Sequence, residues 1–121
     1  MKTKVNVNII KGTPHDDELI GTSGVDHING GRGNDIIKGA AGNDLLVGGQ
    51  GNDTFVFGYG DGQDVIRDFK VGADHIILNG VDMSTVYFTH DNVLNTTIHY
   101  GADTITVLGV NDDNFHDFFG G

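Results

Sequence analysis

Residues 12–56 read GTPHDDELI (12–20), GTSGVDHIN (21–29), GGRGNDIIK (30–38), GAAGNDLLV (39–47) and GGQGNDTFV (48–56), with no gap between units. Glycine opens every unit and returns at the fourth place in all but the first, where His15 follows Pro14. The sixth place is always aspartate: Asp17, Asp26, Asp35, Asp44 and Asp53. The eighth is always apolar: Leu19, Ile28, Ile37, Leu46 and Phe55. A nine-residue unit has no interior of its own, so the units must stack to bury anything. Each unit divides into a six-residue turn and a three-residue extended piece. The middle residue of three in a strand points away from its neighbours. The five apolar residues therefore line one interior, between two sheets built from alternate units. Ile36, Leu45, Val47 and Val56 flank them and face outward, either as bare surface or under a covering strand or domain.

The pattern loosens but continues beyond Val56. Asp64 follows Asp53 by eleven residues and Asp74 follows Asp64 by ten, each again leading an apolar strand (Asp64-Val65-Ile66 and Asp74-His75-Ile76). NTTIHY and TITVL flank Gly101-Ala102-Asp103 and read as an antiparallel hairpin. Residues 1–11 alternate Val5, Val7 and Ile9 with Asn6 and Asn8, which reads as one strand. The chain is thus expected to be one all-β domain over 1–121. It comprises an N-terminal strand (1–11), nonapeptide repeats (12–56), degenerate closing repeats (57–80) and a C-terminal antiparallel cap (81–121). The cap ends in NFHDFF, read as a last strand or an export signal. No helical stripe with caps is visible.

Composition narrows the function. The 121 residues include 17 acidic and 7 basic ones, for a net charge of −10, and 20 glycines but no cysteine. Such a charge disfavours nucleic acid or an anionic membrane as a direct partner. The lack of cysteine removes thiolate metal sites and disulfides. No apolar run is long enough to enter a membrane as a helix, and MKTKVNVNII lacks the apolar core of an N-terminal signal peptide. The six histidines are scattered without an HExxH spacing, and Ser23 and Ser84 sit in no nucleophile motif, so a non-catalytic module is expected.

The turns point to a hard cation. Glycine at the first and fourth places opens positive-φ conformations, which direct carbonyl oxygens to one side, and Asp adds a carboxylate. Calcium takes six to eight oxygens at roughly 2.3–2.6 Å, so two stacked turns with about three oxygens each can hold one ion between them. Two units make one coil, so turns alternate sides. Asp17, Asp35 and Asp53 fall on one side, and Asp26, Asp44 and Asp64 on the other. The expected pairs are 17/35, 35/53, 26/44 and 44/64, with Asp74 a further partner for Asp53. That gives about four or five calcium ions. Four of them would move the net charge from −10 to −2. Without metal the stacked carboxylates repel, so folding is expected to await calcium.

The stretch 12–56 resembles the RTX, or haemolysin-type, calcium-binding repeat with its GGxGxDxUx signature. FGYGDGQDVIRDFKVGADHIIL resembles the closing segment of such rolls. DTITVLGVNDDNFHDFF resembles the end of RTX polysaccharide-modifying enzymes, notably the R-modules of mannuronan C5-epimerases. The resemblance implies a parallel β-roll, secretion from a bacterium by type I machinery, and an acidic, alginate-like polysaccharide as an alternative partner. It also implies ligation by carbonyls of Gly21, Gly30, Gly31, Gly33, Gly39, Gly42, Gly48, Gly49 and Gly51, with the carboxylates of Asp26, Asp35, Asp44 and Asp53. The first copy departs from the signature at His15 and Pro14, which weakens an Asp17 site. Thr22 and Ala40 at the second place read as mild changes, because the ligand there would be backbone.

Overall fold

The computed structural model describes residues 7–91, 94–110 and 115–119. It is nearly all-β: a parallel solenoid of about four coils, closed by antiparallel strands at its C-terminal end. Alternate units do build alternate sheets. One sheet has the order β1 (Val7–Lys11), β3 (Val25–Asn29), β5 (Leu45–Val47), β7 (Gln63–Ile66), β11 (Asp103–Val107), β10 (Thr96–Tyr100) and β9 (Tyr87–His90). The other has the order β2 (Glu18–Ile20), β4 (Ile36–Lys38), β6 (Thr54–Gly58) and β8 (His75–Asn79).

The register follows the repeat. Leu19 pairs with Ile37 and Ile37 with Phe55 in one sheet, and Ile28 with Leu46 in the other. Ile28, Ile37, Leu46, Phe55, Ile66 and Ile76 are fully buried, and Leu19 at the open end is half-buried. Strands of three residues suffice because each contributes one inward side chain per layer, and the layer above supplies the next.

The C-terminal part differs from expectation in three ways. First, β11 pairs in parallel with β7, so the cap strands lengthen the first sheet instead of covering its outer face. Ile36, Leu45, Val47 and Val56 thus keep outward-facing positions at least partly exposed. Second, Asp103 belongs to β11 and pairs with Tyr100, leaving a two-residue turn at Gly101-Ala102. Third, NFHDFF is not a strand. Phe115–Phe119 is a short α-helix, α1, and Phe118 plugs the open end of the core against Phe69 and Phe88. Asn114 lies outside the described residues. A 3-10 turn at Met83–Thr85, capped by Asp82, precedes β9.

At the other end, Val7 and Ile9 of β1 are exposed and Ile10 packs on the core, so the inward residue there is not one of the alternating set. Val5 lies outside the described residues.

Adjacent residues of β4 provide a test of the layer argument. Ile37→Ala is expected to cost about 3 kcal/mol by chemical denaturation, since its side chain has no exposure. Ile36→Ala, on the outer face, is expected to cost within about 0.5 kcal/mol.

Candidate metal centre

Each repeat aspartate stands at the corner where a turn becomes a strand. Its backbone carbonyl joins the sheet ladder, as in Ile36 N–H to Asp17 O and Thr54 N–H to Asp35 O, both 2.8 Å. Its side chain folds inward under the turn. There Oδ1 accepts the N–H of the aspartate one coil earlier. Asp35 accepts from Asp17 (2.9 Å), Asp53 from Asp35 (3.0 Å) and Asp74 from Asp53 (2.9 Å). On the opposite side Asp44 accepts from Asp26 and Asp64 from Asp44, both 2.9 Å. All five pairs read from the spacing are brought together, as two ladders.

The second oxygen decides what the ladders can do. Oδ2 of Asp35, Asp44, Asp53 and Asp64 is buried and has no hydrogen-bond partner. These residues are at most 2% exposed. A buried carboxylate oxygen without a donor is costly unless a cation meets it. Side chains alone do not make the site: among the described residues no three His, Cys, Asp or Glu side chains group closely enough to hold a metal ion. The remaining ligands would be backbone carbonyls. A Cβ on Gly30 would stand 2.5 Å from Asp35 Oδ2 and 2.7 Å from the Gly48 carbonyl oxygen of the next coil. Only glycine leaves that oxygen-lined space open. The chemistry fits a hard cation such as calcium, with Asp35, Asp44, Asp53 and Asp64 as its carboxylates.

The glycines play different parts from those read in the sequence. First-place glycines (Gly21, Gly30, Gly39, Gly48) are not in the positive-φ region; each is small to make room for an Asp Oδ2, 2.5 Å from where a Cβ would be. The left-handed turns lie at the second and fourth places: Gly31, Gly33, Gly42, Gly49 and Gly51, with φ between 79° and 100°. A Cβ on Gly49 or Gly51 would run into the carbonyl of Gly31 or Gly33 one coil earlier. Ala40 holds the same place with φ 64°.

Thr22, in contrast, is no mild change. It leaves the left-handed region, and its N–H and hydroxyl turn inward to Asp26 (2.8 and 3.0 Å). Thr13 does the same for Asp17 (2.6 and 3.0 Å). The carboxylates of the first two units are therefore already engaged. At the other end of the first ladder, the Lys70 N–H donates to Asp74 Oδ2 (2.9 Å) and its ammonium to the Gly49 carbonyl (3.1 Å).

Several supporting residues escaped the sequence reading. The fifth place, taken there as free, carries a row of its own: Asp16 accepts from Asn34 N–H (2.7 Å), Asn34 from Asn52 (2.8 Å) and Asn43 from Gln63 (2.9 Å). The repetition of Asn at Asn34, Asn43 and Asn52 was its signal. Asn8 caps the second ladder by donating to Asp26 Oδ1 (3.1 Å). Asp68 accepts the N–H groups of Gly48 and Gly49 (2.9 and 2.8 Å).

Burial pushes the ladder acids up from the ordinary 3.8: Asp44 and Asp53 to about 7 and Asp64 to about 8. Neighbouring carboxylates act in the same direction, and the backbone N–H each accepts acts against it. Asp35 and Asp74 shift upward for the same first reason.

The repeats have a match among known families. Residues 20–55 match the family described as RTX calcium-binding nonapeptide repeat, in four copies. Among solved structures, the extracellular lipase LipA from Serratia marcescens superposes with a TM-score of 0.51 at 20% identity, covering 92% of this chain and 20% of the lipase. The chain thus spans about a fifth of that protein's length. The AlgE6R3 subunit of the Azotobacter vinelandii mannuronan C5-epimerase matches at 26% identity over 90% of this chain and 79% of that one, with a TM-score of 0.43. No curated protein matches.

The raised acids set a pH dependence of definite sign. Between pH 4 and 8 the metal-free fold binds more protons than the unfolded chain, so its stability falls as pH rises through that window. In chelator, circular dichroism is expected to show β structure growing as pH drops from about 8 to about 5. Calcium competes with those protons, so its affinity is expected to rise over the same window. A metal-free signal that strengthens with pH would contradict the assignment.

Proposed function

We propose, from the match of residues 20–55 to the RTX calcium-binding nonapeptide repeat, that the chain is a calcium-dependent folding module of an extracellular bacterial protein. The observation that carries this reading is the set of four buried carboxylate oxygens without partners. Without a cation they repel across stacked turns, in a Gly-rich chain with high entropy to lose. With one, each turn's carboxylate and carbonyls close on the ion and the layers lock. The ligand set is then Asp35, Asp44, Asp53 and Asp64 with the turn carbonyls of Gly30, Gly31, Gly33, Gly39, Gly42, Gly48, Gly49 and Gly51. Asp17 and Asp26, held by Thr13 and Thr22, close the ladders, as does Asp74 through Lys70.

Calcium is scarce in cytosol, while extracellular modules bind it at about 10⁻⁴–10⁻³ M. A chain that stays unfolded inside suits export by a type I system that reads a C-terminal segment. An acidic polysaccharide would find its bases divided: Lys38 borders a cavity on one sheet, Lys11 and Arg67 a cavity on the other.

The test is a calcium titration at neutral pH followed by circular dichroism. A coil-like spectrum in chelator that converts to β structure with calcium supports the proposal; full β structure in chelator at pH 7.5 overturns it. Asp44→Asn, in the middle of the Asp26–Asp44–Asp64 ladder, is expected to lose one bound ion and shift the transition to higher calcium. Asp16→Asn, in the exposed fifth-place row, is expected to leave the ion count unchanged.

A further inference from the structure

Three of the four ladder ends are closed by the chain itself: Thr13 at Asp17, Lys70 at Asp74, and Asn8 with Thr22 at Asp26. The fourth end, at Asp64, is built differently. The strand that follows β7 in the sheet is β11, and the residue in register with Asp64 is Ile105, so no further aspartate continues the ladder. In its place the head of the β10–β11 hairpin lies under the turn 58–64. Asp103 accepts the N–H groups of Gly60 (2.8 Å) and Gly62 (3.0 Å), and its pairing partner Tyr100 packs its ring on Tyr59. Asp61 folds back on the same turn, accepting the Gly58 N–H (3.0 Å).

Two atoms in this corner are unsatisfied. Tyr100 is 0% exposed and its hydroxyl has no partner; Asp64 Oδ2 is equally buried and equally alone. Burial above all, and after it the charged groups Asp64, Asp61 and Asp103, push the Tyr100 hydroxyl up and keep it neutral. Those that act on Asp64 are Asp44 and Asp61. The corner thus gathers negative charge around two buried oxygens without hydrogen-bond partners. A tyrosine in a roll core needs a reason for its hydroxyl, since phenylalanine would fill the same space without an unpaired polar atom.

We propose that this corner is a cation site outside the nonapeptide pattern, taking a hard divalent ion of the calcium class between Asp64 Oδ2, the Tyr100 hydroxyl and the Asp61 carboxylate. Asp103 is a positioning residue, fixing the turn by its two backbone bonds. The proposal rests on the calcium reading of the ladders and adds to it: the last ion is held by the hairpin, so the antiparallel cap docks on metal and not on apolar contact alone. An oxygen-only set with two carboxylates excludes a soft metal and suits calcium.

Terbium, which replaces calcium and emits when excited through a nearby tyrosine, reads the site directly, since the chain has three tyrosines and no tryptophan. Bound calcium is counted by equilibrium dialysis on the same samples. Tyr100→Phe, which keeps the ring packed, and Asp61→Asn, which touches no repeat carboxylate, are each expected to bind one calcium fewer than wild type. Tyr100→Phe is also expected to lose most of the sensitised emission. Should Tyr100→Phe fail to fold by circular dichroism, Asp61→Asn carries the count. Unchanged counts in folded variants, with calcium still folding the wild type, overturn this site and leave the ladders standing. A wild type that binds no calcium overturns both.

Discussion

The structure depends on one constraint: a carboxylate that returns every coil must stack on its own copy in a buried place. One oxygen of each solves half the problem by accepting the backbone N–H of the aspartate one coil earlier, at 2.9–3.0 Å throughout. The other oxygen, in Asp35, Asp44, Asp53 and Asp64, has nothing in the chain to meet it. Everything around that oxygen is cut to fit. First-place glycines clear the space beside it, left-handed second and fourth places let successive turns approach closely, and in-register strands hold successive copies in line. The apolar interior is one side chain deep per layer. Packing alone therefore leaves a narrow margin against stacked negative charge, and the cation becomes part of the fold's stability.

A ladder with such a repeat must also stop. The first sheet begins with Asn8, whose amide stands where a preceding backbone N–H would be, above Asp26. Thr13 and Thr22 turn their own N–H groups onto the first carboxylates, and Lys70 serves the last one on its side. The hairpin replaces the next coil beneath Asp64, and Phe118 of α1 seals the core. Order in the middle comes from repetition, and termination comes from residues that break the repeat.

That division explains what the sequence could reveal. The sheets, the register, the inward set from Ile28 to Phe55 and the five aspartate pairs all follow from a strict period, because a period fixes neighbours whatever the side chains are. The terminations were not legible. Thr22 looks like a harmless replacement for glycine until its φ is known. Asn8 lies in an alternating strand whose apolar residues, Val7 and Ile9, face solvent. The five-residue helix at Phe115–Phe119 is too short for a 3.6-residue stripe, and its position is set by the aromatic contacts of Phe118 instead. Tyr100 and Asp103 meet the turn 58–64 only through the hairpin, a contact more than 40 residues apart in sequence. The fifth-place Asn row was visible but unread, since the signature treats that place as free.

The central claim is that the four unpartnered oxygens are metal ligands. A crystal structure grown in millimolar calcium, with anomalous scattering to identify the ions, tests it most directly. The account predicts a calcium within about 2.3–2.6 Å of Oδ2 in each of Asp35, Asp44, Asp53 and Asp64, each also contacted by turn carbonyls. Ordered waters or protonated carboxyls at those four oxygens, with no ion between the turns, would contradict it.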